Sequence, residues 1–382
     1  MQYIKYFIVP SKPSQILFLN LYAFSLTGGV EKVSRKFAHA LGRLFEQENW
    51  AAYSMHDRTA DVDSKFVSVK NYKPFSGAKI SFVLSSFFKG LNSDVLILSH
   101  INLLSVAKLI SLVKPKQKIF LLAHGIEVWD KLSDWKTTFL QQKVQIWAVS
   151  NFTRNKMLAQ HQIAPDRIQV LNNCLSPFLK LPSTFDKPKD LLKKYQLNKN
   201  MPVLFTLNRL SASEKYKGYD TVISALGKLK QANQPFTYLL AGKADEEEQH
   251  RIEQLIEANG LSAEVKLIGY LPDEELAAHF SLADIFIMPS KGEGFGIVFI
   301  EAAVYGCQVI AGNIDGSTDA LLNGELGQLV NPDSEAAIIE AIQKAIRNTD
   351  HQPEKQRELT LQHFGFEQYL EKVNCLIAKS VN

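Results

Sequence analysis

The residues best suited to chemistry fall at four points along the 382-residue chain. The run KGEGFGIVFIE (291–301) follows an apolar stretch, Ile285–Met288, that reads as a strand. Gly292, Gly294 and Gly296 leave main-chain N–H groups bare where a helix begins, which suits an anion or a hydroxyl group. Glu293 in the turn and Glu301 one to two turns into the helix suit acceptors for sugar or ribose hydroxyls. The spacing fits equally a glycine-rich turn carrying two solvated glutamates. The run NRLSASEKYKG (208–218) also sits between a strand and a helix. There Arg209 and Lys217 offer two cations to a diphosphate, although such residues are common in exposed loops. In TGGVE (27–31) the consecutive Gly28 and Gly29 permit close approach of a phosphate or sugar to a helix start. The dinucleotide fingerprint G-x-G-x-x-G is absent. In AHGIE (123–127), His124 follows a strand and precedes Gly125, a placement open to a structural or a site role.

These residues need elements to hold them. A buried strand is expected at 16–21. A helix is expected at 30–44, with Val33, Phe37, Ala40, Leu41 and Leu44 on one face. Short apolar runs at 95–98, 119–123 and 146–150 continue a strand–helix alternation, which implies a parallel sheet covered on both faces. The stretch 176–201, with Pro177, Pro182, Pro188 and many lysines, reads as a connection between domains. The rhythm then repeats. Strands are expected at 203–207, 237–241, 265–268, 285–288 and 308–311, and helices at 218–229 and 247–258. Asp273, Glu274 and Glu275 mark another helix start. A last helix, 366–378, carries Phe366, Tyr369, Leu370, Val373, Leu376 and Ile377. The expected fold is α/β: two Rossmann-like doubly wound domains facing across a cleft, where ligands commonly bind.

With 46% hydrophobic and 21% charged residues the composition is that of a globular protein, not of a disordered, collagenous or coiled-coil chain. No apolar run approaches the ~18 residues of a membrane span. The N-terminal MQYIKYFIVPSKPSQ breaks its apolar patch at Pro10 and Lys12 and has no small-residue cleavage site, so no secretory signal is expected. Three scattered cysteines suit neither a disulfide framework nor a zinc site, and a reducing cytoplasm is expected. The net charge of +4 hides an asymmetry: residues 1–182 hold 23 Lys and Arg against 11 Asp and Glu, a balance of +12, and the remainder holds −8. An anionic partner for the first half follows from this, or a surface that merely happens to be lysine-rich. The segment 65–91 combines Lys65, Lys70, Lys73, Lys79 and Lys89 with a helical run containing Ile80, Phe82, Val83, Leu84, Phe87, Phe88 and Leu91. Such a run is either an interfacial helix or part of the core.

Taken together, the four sites resemble the retaining glycosyltransferases of family 4, which have the GT-B architecture, over nearly the whole chain. The resemblance rests on EGFGIVFIE (293–301), an E-x7-E pattern, on Arg209 with Lys217 and Gly218, on Gly28-Gly29 and on His124. The stretch NIDGSTDALLNGELGQLVNP (313–332) is also similar, with Asp319 where the family usually has Glu.

The resemblance implies a nucleotide-sugar domain at 183–365. The acceptor domain would be 1–182, completed by the helix at 366–382. Arg209 and Lys217 would hold the diphosphate. Glu293, with the N–H groups around Gly294, Phe295 and Gly296, would hold the sugar, and Glu301 the ribose. Gly28 and Gly29 would approach the diphosphate or the acceptor, and His124 would help place the reacting sugar. The catalytic set is then His124, Arg209, Lys217 and Glu293. No Asp-x-Asp is present, so the expectation is no metal and no cofactor, with the two cations taking the metal's place. GDP-mannose is the first donor expected and a UDP-hexose the next. The acceptor would be lipid-linked or a saccharide, reached from the inner face of the cell membrane. An epimerase on the same fold and a non-catalytic sugar-nucleotide-binding subunit are the alternatives. No nucleic-acid recognition motif is present.

Overall fold

The computed structural model describes residues 15–381. The N-terminal segment that argued against a secretory signal lies almost wholly outside the described residues. The chain divides into two units. One runs to Pro177 and resumes at Gly365; the other is Phe178–Phe364.

The first unit holds seven strands among the described residues: β1 (Ile16–Asn20), β2 (Trp50–Ser54), β3 (Tyr72–Pro74), β4 (Val95–Leu98), β5 (Lys118–Ala123), β6 (Val144–Ala148) and β7 (Ile168–Val170). Their order is β3-β2-β1-β4-β5-β6-β7. Every pair is parallel; Ile16 lies beside Trp50 on one side and Val95 on the other. β1 and β4 are buried along their whole length, as strands covered by helices on both faces must be. The Gly29–Leu44 helix buries Val33, Phe37, Ala40 and Leu41. It sets Phe37 against Phe18 of β1, ring centroids 4.9 Å apart. The opposite face of the sheet packs Leu17, Leu19, Leu96, Leu98 and Leu121 into one core with Phe82 and Ile110. Burying each such side chain stabilises the unit by about 1.5–3 kcal/mol.

The second unit repeats the plan with β8 (Val203–Leu207), β9 (Thr237–Ala241), β10 (Val265–Gly269), β11 (Ile285–Met288), β12 (Gln308–Gly312) and β13 (Gln328–Val330), in the order β10-β9-β8-β11-β12-β13. Its pairs are again parallel. In each sheet the winding reverses beside the first strand of the unit, between β1 and β4 and between β8 and β11. Loops that follow the strands there open a crevice suited to a ligand.

Two details of the connection differ from the sequence expectation. Residues 178–182 join the second unit, because Tyr305 donates its hydroxyl to the Lys180 carbonyl (2.9 Å) and Arg357 Nη1 donates to the Pro182 carbonyl (2.9 Å). The proline-rich stretch also contains a helix, Lys189–Lys194. Just beyond it, Tyr195 docks by its hydroxyl on buried His279, 2.8 Å from Nε2. His279 Nδ1 faces the Glu275 carbonyl at 2.8 Å and so carries the proton, which leaves Nε2 to accept from Tyr195. The last helix, Phe366–Val381, returns to the first unit: Phe366 lies 5.2 Å from the His39 ring and Glu367 pairs with Arg43 at 3.3 Å.

Candidate active site

In the second unit, the loops after β8 and β11 are locked together before any charged group is placed. Gly218 has φ +83, and a Cβ there would stand 2.5 Å from the Pro289 carbonyl. Only glycine takes that conformation at no steric cost and lets the two chains approach so closely. Lys291 N–H donates to the Tyr216 carbonyl at 2.9 Å. The Tyr216 ring lies over Gly292, 2.9 Å from where a Cβ would be.

This locking brings Lys217 Nζ to 2.5 Å from Glu293 Oε1, with side chains only 14% and 16% exposed. Burial alone would lower the Lys217 pKa. The charges of Glu293, Tyr216 and Glu214, with the hydrogen bond to Glu293, outweigh it and raise the pKa, so the ammonium stays charged. Arg209 stands at the rim, 75% exposed, with Nη2 2.5 Å from Glu214 Oε1. The other oxygen of Glu214 lies 3.7 Å from Lys217 Nζ. The two cations expected from the sequence thus meet around a carboxylate that the motif reading passed over. The Glu214–Lys217 spacing of three in a helical turn was the signal that could have found it.

Glu293 is fixed from a third loop. Its N–H donates to Asp315 Oδ2 (2.8 Å), and its carbonyl accepts from Gly316 N–H (2.8 Å). Asp315 follows β12, is fully buried and also accepts from Ser317 N–H at 2.9 Å. Burial pushes its carboxyl up to about 6, against the pull of those hydrogen bonds. Nothing in the spacing of the motifs marked Asp315. Asp319, four residues on, lies in the short Ser317–Ala320 helix, where its N–H donates to the Gly316 carbonyl at 3.2 Å.

Gly294, Phe295 and Gly296 complete the turn. The Phe295 side chain is buried against Phe364, centroids 5.5 Å apart, so only its main chain is free to serve a ligand. Gly296, at φ +82, starts the Ile297–Val304 helix, whose N-terminus carries no side-chain cap. Phe299 N–H closes the first turn on the Gly296 carbonyl at 3.1 Å, and the N–H groups before it carry partial positive charge. Glu301 is the fifth residue of that helix and is half-buried.

In the first unit, the loop after β1 is organised by Asp57. This buried carboxylate accepts the main-chain N–H groups of Ala23 (2.8 Å), Phe24 (3.2 Å) and Ser25 (2.9 Å) and the Tyr72 hydroxyl (2.5 Å). Burial would raise its pKa, but the bonds from Tyr72, Ser25, Ser54 and Ala23 hold it below the usual carboxylate range. The loop delivers Gly28 in extended conformation as the N-cap of the Gly29–Leu44 helix, with open space beside Gly29. His124 follows β5. Its Nε2 lies 2.8 Å from the Ser99 carbonyl and so carries the proton, while its N–H donates to Glu127 at 2.6 Å. Nearby His100 is pushed below the usual histidine value by burial, with Glu127 opposing and His124 and Lys136 adding to the shift. Gly28, Gly29 and His124 thus belong to one unit, and Arg209, Lys217, Glu293 and Glu301 to the other.

Loops at the carboxyl ends of parallel strands, one buried and one partly buried carboxylate holding two cations, and an uncapped helix start form an arrangement suited to a charged, hydroxyl-rich ligand. Residues 188–360 match the family model of glycosyl transferases group 1. That match falls within the second unit. The chain is 30% identical over 168 residues to the GDP-mannose-dependent alpha-(1-6)-phosphatidylinositol monomannoside mannosyltransferase of Mycobacterium tuberculosis; the match spans 42% of either chain, less than half of that relative. It is 23% identical over 220 residues to the alpha-D-kanosaminyltransferase of Streptomyces kanamyceticus, covering 57% of this chain and 55% of that one. Among solved structures, Anabaena Alr3699/HepE in complex with UDP superposes with a TM-score of 0.79 at 19% identity, covering 96% of this chain and all of the other. The fold is that of the GT-B glycosyltransferases: two α/β units built on parallel sheets, of seven and six strands among the described residues.

Proposed function

We propose that the chain is a retaining, metal-independent hexosyltransferase. It moves a mannose- or glucose-type sugar from a nucleoside diphosphate to a lipid-linked or saccharide acceptor in glycan biosynthesis. The observation that carries this reading is the Lys217–Glu293 pair, set between the loop after β8 and the uncapped helix start after β11. The mycobacterial relative's name makes GDP-mannose the first donor to try, and the UDP complex of the Anabaena structure makes a UDP-hexose the next.

In the reaction the bond from the anomeric carbon to a diphosphate oxygen breaks. Positive charge grows on the sugar ring and negative charge on the leaving oxygen. Lys217, Arg209 and the N–H groups at Gly296 answer the second charge, and Glu293 holds sugar hydroxyls. The acceptor oxygen attacks from the side the diphosphate leaves, and a diphosphate oxygen takes the acceptor's proton.

Lys217→Ala should lower turnover by about 100-fold or more if the ammonium supplies a few kcal/mol to the transition state. The assay is release of GDP or UDP from GDP-mannose, UDP-glucose and UDP-galactose with lipid-linked and saccharide acceptors. The anomeric configuration of the product is read by NMR. Wild-type turnover in the variant, or dependence on manganese, would overturn the reading.

The same reading places the first unit on an anionic membrane surface. Within that unit, Phe82 of the Lys79–Leu91 helix is core, whereas Ile80, Leu84 and Phe88 form an exposed stripe at four-residue spacing. The Leu104–Val113 helix packs beside it and exposes Leu109, Leu112 and Val113. Residues 79–118 hold six lysines and a single acid, Asp94, which lies 3.7 Å from Lys114. Exposed apolar bulk among lysines matches a bilayer rich in anionic lipid. No described helix is long and apolar enough to cross a membrane.

A further inference from the structure

The four ion-paired side chains around Lys217 in the second unit's site sum to zero. Arg209 and Lys217 are balanced by Glu214 and Glu293. A diphosphate arriving there meets cations that are already neutralised. Glu293 has a second task toward the sugar in the proposed reaction, but Glu214 has none.

The placement of Glu214 is specific. It is buried to 9% exposure, yet one carboxylate oxygen has no hydrogen-bond donor among the described residues. That oxygen lies 3.7 Å from Lys217 Nζ, while the other oxygen takes Arg209. A buried carboxylate oxygen without a donor is costly, so a purely structural glutamate would be expected to find one. Its pairing with Arg209 is held loosely, because Arg209 is three-quarters exposed and water competes for such a pair. Arg209 can therefore leave Glu214 for a phosphate oxygen at small cost, and Glu214 remains behind as a fixed negative charge beside the diphosphate.

We propose that Glu214 is a positioning residue that weakens the site's hold on its diphosphate product. The carboxylate keeps Arg209 and Lys217 in place while the site is empty. It then repels the nucleoside diphosphate once the sugar has gone, which hastens release. This inference rests on the proposed transferase reading, since it assumes that a diphosphate occupies the site.

The test uses the full chain with inorganic pyrophosphate, a probe that carries no base or sugar, in calorimetric titrations at two salt concentrations. In Glu214→Gln the carboxylate charge is gone and the shape is kept. Pyrophosphate should bind about 10-fold more tightly than in the wild type, with a steeper loss of affinity on adding salt. Glu214→Ala should tighten binding in the same direction. In turnover assays kcat and KM should fall together in both variants, because release slows. If Glu214 only oriented the cations, both variants would bind pyrophosphate more weakly, and the inference fails while the transferase reading stands. Unchanged affinity also overturns it. If neither the wild type nor the variants bind pyrophosphate and no sugar nucleotide is turned over, the transferase reading itself fails.

Discussion

At Gly218 the main chain takes a positive φ directly after Lys217, and the Pro289 carbonyl lies where any side chain would begin. A methyl group there has to push the loop after β8 away from the loop after β11. Gly218→Ala should cost about 1–3 kcal/mol of stability. It should also shift Lys217 from Glu293 and reduce turnover by more than the lost stability explains. Thermal melting, read beside kcat on folded protein, separates the two effects. Residue identity made part of this legible: the Arg209, Lys217, Gly218 and Glu293 pattern stands in the sequence, and the structure brings Lys217 to Glu293. Glu214 was signalled only by its i,i+3 spacing to Lys217, and Asp315 was not legible at all. Asp315 acts through a hydrogen bond to the main chain of a residue 22 positions away. No pattern of side-chain types encodes such a bond.

The Lys79–Leu91 helix illustrates what periodicity can and cannot say. Its apolar residues are too many for a single face, so the sequence left it open between core and interface. Packing divides them: Phe82 points inward, Val83, Phe87 and Leu91 rest against the core, and Ile80, Leu84 and Phe88 face outward. If that outward stripe docks on anionic lipid, Ile80→Asp combined with Phe88→Asp should abolish flotation with phosphatidylglycerol vesicles. It should leave the melting temperature nearly unchanged, since exposed substitutions usually shift stability by within ±0.5 kcal/mol. Flotation by the double variant at the wild-type level would refute the docking. Lys65 belongs to a different environment, paired with Asp63 at 3.0 Å. Among the strands, β4, β8, β9 and β11 were legible to the residue because each is a short, largely apolar run between turn signals. β3, β7 and β13 are three-residue edge strands, and the half-buried β2 alternates too briefly to stand out.

Across the whole molecule, three histidines give stability a pH dependence. Burial lowers the pKa of His39, His100 and His279 in the folded chain. The unfolded chain then binds more protons below pH ~6.5, so their contribution is complete above that pH and is lost as pH falls toward the folded values. Asp315 works the other way. Raised to about 6, it contributes fully below the unfolded carboxylate value, and that contribution is lost as pH rises through about 6. Asp315→Asn removes the opposing carboxyl, so in that variant the melting temperature should drop between pH 7.5 and pH 5.5. A flat or rising profile by differential scanning calorimetry would contradict the burial of these imidazoles. At His279 the cause is visible: a second proton on its ring removes the acceptor for the Tyr195 hydroxyl.

The path of the polypeptide has a practical corollary. The chain passes out of the first unit after Pro177 and re-enters it at Gly365, so one half of the protein is a single uninterrupted length and the other is assembled from two. A gene fragment encoding 178–364 would carry every residue from Arg209 to Asp319 in one reading frame. A stop codon after 364, by contrast, would strip the amino-terminal half of Phe366, Tyr369, Leu370 and Val373, all of them buried. Loss of the last 18 residues would thus be felt in the amino-terminal unit.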